Sequence, residues 1–227
     1  MPRGATWILL GLSALLAIAY GVFGPGMYES GMDRAIPAAL KTSGIAVLVL
    51  IALLNRARLL AIALAFGAAG DALLALGDAT FLWGAGAFLI GHLFYITLFL
   101  RNGSGIAALK HPPRALAALA LIGAAVVMTG LLVPADNPMF APLAAYTGVL
   151  TLMALITFTL PSARWLVMLG GVLFFISDGF VAANLFHPQS DAALAFGLSF
   201  TGWMIYWTAQ ASLCIGGLAL TRVDRTA

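Results

Sequence analysis

A chain of 227 residues that is 63% hydrophobic and 8% charged, with a mean hydropathy of +1.05, is excluded from the water-soluble domains, in which about a quarter of residues are charged. Its net charge of +3 arises from 11 Lys and Arg against 8 acids, spread too thinly for a nucleic-acid surface. The single cysteine, Cys214, excludes an internal disulfide framework and a cysteine-built metal site.

The composition predicts an all-α, polytopic membrane helix bundle, one integral domain over residues 1–227, with apolar runs long enough to cross a bilayer. The first run, at about 6–23, has the length of a secretory signal. No small-x-small cleavage site precedes Gly24-Pro25-Gly26, so it reads as a membrane helix ending at that turn. A second span, at about 37–54, carries Lys41 one turn inside its start, and Asn55 to Arg58 forms the next break. The third, at 58–76, contains Asp71 in GAAGDALLAL and ends at Gly77-Asp78. The fourth, at about 81–100, contains Gly91, His92 and Tyr95. RNGSG and HPPR separate it from a fifth at about 114–133, and PADNP separates that from a sixth at about 141–160. After Pro161-Ser162 the seventh, at about 165–185, holds Asp178 in LFFISDGFVAANL. Beyond HPQSD the eighth, at about 193–220, carries Gly202, Trp203, Tyr206 and Gln210.

Eight spans put both termini on one side. With that side cytoplasmic, the inner ends hold Arg3, Arg56, Arg58, Arg101, Lys110, Arg114, Arg164, Arg222 and Arg225, and the outer ends hold Arg34. The outer ends instead collect Glu29, Asp33, Asp78, Asp136 and Asp191, so the positive-inside rule holds loop by loop. Trp7 and Trp165 near inner ends and Trp83 near an outer end suit interfacial belts.

Three charges are left without a loop: Lys41, Asp71 and Asp178. A charge inside the bilayer costs about 2.5–3.5 kcal/mol on insertion scales, so such groups face other helices or a wet cavity. Asp71 shares a helix face with Ala63, Gly67, Gly70 and Leu74, where small residues let a neighbouring helix come close. The plainer reading is a carboxylate capping a helix end at the interface. Asp178 lies about two turns from the outer end of its span, too deep for that. The third and seventh spans run the same way, so the two carboxylates lie at similar depth and meet if those helices are neighbours. Two close carboxylates do not both ionise, which divides them into an acid and a base.

Lys41 reads equally as a stem snorkelling to the headgroups, as the counter-ion of an aspartate, or as the partner of a phosphate. His92 and Tyr95 share one face of the fourth span, and Trp203, Tyr206 and Gln210 one face of the eighth. Aromatic residues at such spacing commonly serve packing. His111 and His187 fall in loops on opposite sides, which disfavours a histidine zinc site. Asn184, seven residues after Ser177, reads as a cavity-lining amide or an ordinary helix-end amide. A weak internal repeat joins these features: a small residue and Asp in one helix, Gly-x-x-x-Tyr in the next, at Gly70-Asp71 with Gly91 to Tyr95 and at Ser177-Asp178 with Gly202 to Tyr206. No G-x-S-x-G, H-E-x-x-H or P-loop occurs, and Gly67-Ala68-Ala69-Gly70 before Asp71 departs from the G-x-G-D of intramembrane aspartyl proteases.

Lys41 at the head of the second span, GDALLAL at 70–76, FLWGAGAFLIGHLFYITLF at 81–99 and the Ser177-Asp178 helix together resemble the YhhN-type membrane proteins, whose animal members are lysoplasmalogenases. Thr42 stands where that family often has proline. The resemblance implies hydrolysis of the vinyl ether bond of lysoplasmalogen to a fatty aldehyde and a glycerophospho-base, with no metal and no organic cofactor. It further implies Asp71 and Asp178 as the catalytic pair, with Lys41, His92, Tyr95, Asn184, Tyr206 and Gln210 around the substrate. The expected partners are a lysophospholipid-like small molecule and the lipid bilayer, the expected location a bacterial inner membrane, and nucleic acid is not expected. Intramembrane Asp and Lys with a repeat also suit a small proton-coupled carrier, and another lipid would suit the same chemistry.

Overall fold

A computed structural model of the chain describes residues 3–223. Arg225 and the side chains of Arg3 and Arg222, counted above for orientation, lie outside the described residues. Eight long helices account for almost all of the rest: α1 Arg3–Glu29, α2 Ala35–Leu54, α3 Arg58–Leu76, α4 Phe81–Asn102, α5 Pro112–Leu132, α6 Phe140–Thr157, α7 Trp165–Phe186 and α8 Ala192–Val223. Short 3-10 turns at Asp78–Thr80, Ile106–Lys110 and Ser162–Arg164 join them, and no strand occurs among the described residues.

Seven of these helices, α1 to α7, are long and apolar enough to cross a membrane. The eighth has the length, but Trp203, Tyr206, Trp207, Thr208 and Gln210 dilute its apolar run. Of these, Trp203, Tyr206 and Gln210 turn toward the interior, where Gln210 is fully buried. The outer surface of the bundle is correspondingly apolar: Leu116, Leu119, Val126 and Leu131 of α5 are all exposed.

Successive helices from α1 to α4 pack side by side, as do α7 and α8. The two halves join where α8 lies on α1, α2 and α3 and where α4 lies on α6. α5 touches mainly α6 and α7 and stands at the edge. Small residues set the closest approaches. A Cβ on Gly91 would meet the Ala63 carbonyl oxygen at 3.1 Å, and one on Gly216 would meet the Val167 nitrogen at 3.0 Å. Since membrane helices gain little from hydrophobic exclusion of one another, this backbone-to-backbone fit is a main source of their cohesion.

One expected break is absent. Gly24-Pro25-Gly26 does not turn the chain; α1 continues through Pro25 to Glu29, and the Ser30 N–H closes the end on the Gly26 carbonyl at 3.0 Å. Proline removes one helical hydrogen bond, which a membrane helix tolerates where neighbouring groups compensate, so the motif is a weak point within a helix rather than its end. The break at Asn55 to Arg58 is present. Ala57 N–H reaches the Ala52 carbonyl at 2.9 Å and Arg56 N–H the Leu53 carbonyl at 2.8 Å, with Arg56 at φ 58°, the left-handed cap that closes many helices. The sixth helix ends at Thr157, three residues before the expected Leu160, because Thr157 and Thr159 bind back to the Ala154 and Ile156 carbonyls.

Candidate functional site

Asp71 sits on α3 with glycines one and four residues before it. A Cβ on Gly67 would lie 2.6 Å from Gln210 Nε2, and one on Gly70 would strike the Phe88 ring at 2.6 Å. The missing side chains are what admit α8 and α4 beside the carboxylate. Asp71 is buried, and the interfacial capping reading falls away. Tyr206 donates its hydroxyl proton to Asp71 Oδ2 at 2.8 Å, Gln210 Nε2 donates to Tyr206 Oη at 3.1 Å, and Tyr95 donates to Gln210 Oε1 at 2.7 Å. Each donor in this row is oriented by the next, so the last proton is aimed at the carboxylate.

Lys41 approaches from α2 with Nζ 3.9 Å from Asp71 Oδ1. The ammonium also lies 5.8 Å and 5.7 Å from the ring centroids of Tyr20 and Trp203, within the range at which an aromatic face attracts a cation. Trp203 is itself pinned by its indole N–H to the Ala17 carbonyl at 2.8 Å. Lys41 is therefore the counter-ion of an aspartate, one of the three readings open from sequence, and its side chain is only 17% exposed.

Asp178 occupies a second, uncharged setting. Tyr146 of α6 donates to Asp178 Oδ2 at 2.6 Å. Ser177 Oγ lies 3.4 Å from Asp178 Oδ1, while its own proton goes to the Phe174 carbonyl at 2.7 Å. His92 Nε2 lies 3.2 Å from Tyr146 Oη. Tyr146 has one proton and gives it to Asp178, so the His92 ring is assigned as the donor through Nε2–H, which leaves Nδ1 as the bare nitrogen. That Nδ1 is buried and has no hydrogen-bond partner. Phe174 ties the two settings together, its ring 4.8 Å from His92 and 5.4 Å from Tyr206, both edge-on.

The third and seventh helices are not a main packing pair: α3 packs chiefly on α2 and α4, and α7 on α8 and α6. The two aspartates nevertheless open onto one cavity of about 250 Å³. Its polar lining includes Lys41, Asp71, Tyr146, Ser177, Asp178, Asn184 and Tyr206, and its apolar wall includes Leu74, Phe81, Phe88, Met128, Phe180 and Phe200. Pro25, Phe81, Val133, Leu143 and Phe186, all lining residues, lie near helix ends, so the cavity extends to the end of the bundle where α2 begins.

Of the residues expected from sequence, Lys41, Asp71, Asp178, Asn184 and Tyr206 line this cavity. His92, Tyr95 and Gln210 do not: they are buried behind its wall and reach it through Tyr146 and Tyr206. Sequence reasoning passed over Tyr146 and Tyr20. A tyrosine in the middle of an apolar span is the signal that would have found them, since its hydroxyl needs a partner there. Among the described residues no three His, Cys, Asp or Glu side chains gather in a way that would hold a metal ion.

The chain has no match among curated proteins and none among solved structures. The family described as YhhN matches over residues 36–217, which takes in α3, α4, α5, α6 and α7 whole and every polar side chain of the cavity named above. The chain belongs to the YhhN family.

Proposed function

We propose that the protein is an intramembrane hydrolase that cleaves the vinyl ether bond of lysoplasmalogen. The observation that carries this reading is the pair of intramembrane aspartates on one largely apolar cavity, each held by a tyrosine and only one of them paired with a cation. A vinyl ether is hydrolysed by proton transfer to the alkene carbon remote from oxygen, the one that bears the alkyl chain. The resulting oxocarbenium ion takes up water, and the hemiacetal falls apart to an aldehyde and an alcohol. The chemistry needs one carboxylic acid and one carboxylate, the division of labour found in glycosidases.

The surroundings divide the roles. Asp71 faces the Lys41 ammonium and two rings that hold that ammonium, so it serves as the carboxylate that steadies the cation and takes the proton of the attacking water. Asp178 has hydroxyl neighbours only. Tyr146 occupies Oδ2, and Ser177, its proton engaged at Phe174, leaves an acceptor beside Oδ1. Asp178 carries the transferable proton on Oδ1 and delivers it to carbon. Phe81, Met128, Phe180 and Phe200 supply the apolar room for the single chain.

Within this reading all eight helices cross a bacterial inner membrane with both termini cytoplasmic. Supporting this, one end of the bundle carries Arg56, Arg58, Arg101, Lys110, Arg114 and Arg164, and the other carries Arg34 with Glu29, Asp33, Asp78, Asp136 and Asp191. The test is incubation of purified protein with lysoplasmalogen and, separately, with an ester lysophospholipid. Aldehyde is expected from the first only and is lost in Asp71→Asn and Asp178→Asn. No aldehyde from a folded wild type refutes the reading.

A further inference from the structure

Lys41 is engaged by Asp71, and the end of the bundle toward which the cavity extends carries a different cation. At the end of the bundle where the cavity emerges, Arg34 is the one Lys or Arg among the described residues that lies outside the cavity itself. It occupies the N-terminal boundary of α2, seven residues before Lys41 and so on nearly the same helix face, about 10 Å above it. No carboxylate pairs with Arg34 among the described residues, although Asp33 and Asp78 stand close in the fold; Asp33 Oδ1 instead accepts the Ala35 N–H at 2.9 Å.

The guanidinium is nonetheless held in place. Its Cζ lies 5.9 Å from the centroid of the Tyr28 ring, and one of its terminal nitrogens would stand 2.8 Å from a Cβ at position 77, where the chain has glycine at φ 122°. A fork stacked on a ring and seated against a glycine keeps its N–H groups free and oriented, the preferred arrangement for two-point binding of a phosphate. The Tyr28 hydroxyl is buried and faces Tyr20, which lines the cavity.

We propose that Arg34, with Tyr28, forms the subsite for the phosphodiester of a single-chain glycerophospholipid whose ether bond lies below at Asp71 and Asp178. This rests on the hydrolase reading for the orientation of the lipid. Gly77, against which Arg34 rests, lies six residues and so about 9 Å along α3 from Asp71, a gap covered by the five bonds between the ether oxygen and the phosphorus together with a phosphate-to-guanidinium hydrogen bond. The subsite makes the headgroup the selected part of the substrate, while the apolar wall below accepts the chain with little discrimination.

The experiment measures binding, which separates it from turnover. Full-length protein in nanodiscs is titrated with a 1-alkyl lysophosphatidylcholine, a 1-alkylglycerol of the same chain length, and glycerophosphocholine without a chain. Fluorescence of Trp203, which lines the cavity, is the signal. Arg34→Gln is expected to weaken the alkyl lysophospholipid at least about tenfold and leave the alkylglycerol unchanged. Arg34→Lys, which keeps the charge without the fork, is expected to fall between. Equal weakening of both lipids, or of neither, overturns the subsite. Binding of glycerophosphocholine as tight as that of the lipid overturns the lipid as its ligand. The alkyl ether is not hydrolysed, so the role of Arg34 in binding is decided even for a protein that releases no aldehyde from lysoplasmalogen.

Discussion

Removing one member of the Lys41–Asp71 pair should damage the fold more than removing both. Charges 3.9 Å apart attract by about 4 kcal/mol at an effective dielectric of about 20. The Lys41 side chain is 17% exposed, so some water reaches the ammonium and about 3 kcal/mol is the better figure. Asp71→Asn leaves a cation facing two aromatic rings, and Lys41→Met leaves a carboxylate with the Tyr206 hydroxyl as its hydrogen-bond partner. Each single change is expected to cost about 3 kcal/mol, the scale measured when a buried pair loses one partner. The double variant Lys41→Met/Asp71→Asn keeps the volume, strands no charge, and should come within about 1 kcal/mol of the parent. Thermal unfolding in a mild detergent reads this as losses of about 10 °C for each single variant and a few degrees for the double. A double variant that melts at the sum of the two single losses would show that the two groups do not support each other.

Other expectations follow from the same geometry. Tyr146→Phe removes the 2.6 Å hydrogen bond to Asp178 without changing the ring, and should lower kcat for vinyl ether hydrolysis about tenfold or more with little change in KM, measured by aldehyde release. His92→Gln can still offer a donor to Tyr146 and should retain most activity, whereas His92→Phe cannot and should resemble Tyr146→Phe; equal activity in the two His92 variants would remove His92 from the site. Gly216→Ala forces a Cβ to 2.6 Å from a Val167 methyl and 3.0 Å from its backbone nitrogen. It should cost about 1–3 kcal/mol in melting experiments while leaving KM for the lipid unchanged.

Helix positions were largely readable because the bilayer permits only helices and closed barrels as lipid-exposed backbone, and a long unbroken apolar run announces the helix. Lys41, Asp71 and Asp178 stood out for a related reason: a charge in an apolar run has few excuses. Tyr146 stood out less, because its hydroxyl signals a need for some partner but does not say that the partner is Asp178, 32 residues away. His92, Tyr95 and Gln210, expected around the substrate, lie behind the cavity wall instead, because their depth depends on how α4 and α8 rotate against α3, which one helix's periodicity does not specify. Gly24-Pro25-Gly26 misled because turn chemistry learned in water weakens in a membrane, where leaving the helix exposes more unpaired backbone groups than staying in it.

The ion pair also has a history within each molecule. Lys41 and Asp71 belong to one hairpin, α2 and α3, and a ribosome completes that hairpin long before it reaches Tyr206, 135 residues after Asp71. For most of synthesis the carboxylate has no α8 to orient it, and the cation has no Trp203 to cover it. Each has the other. Pairing within that hairpin would lower the cost of carrying two charged residues into a membrane before α8 arrives to cover them.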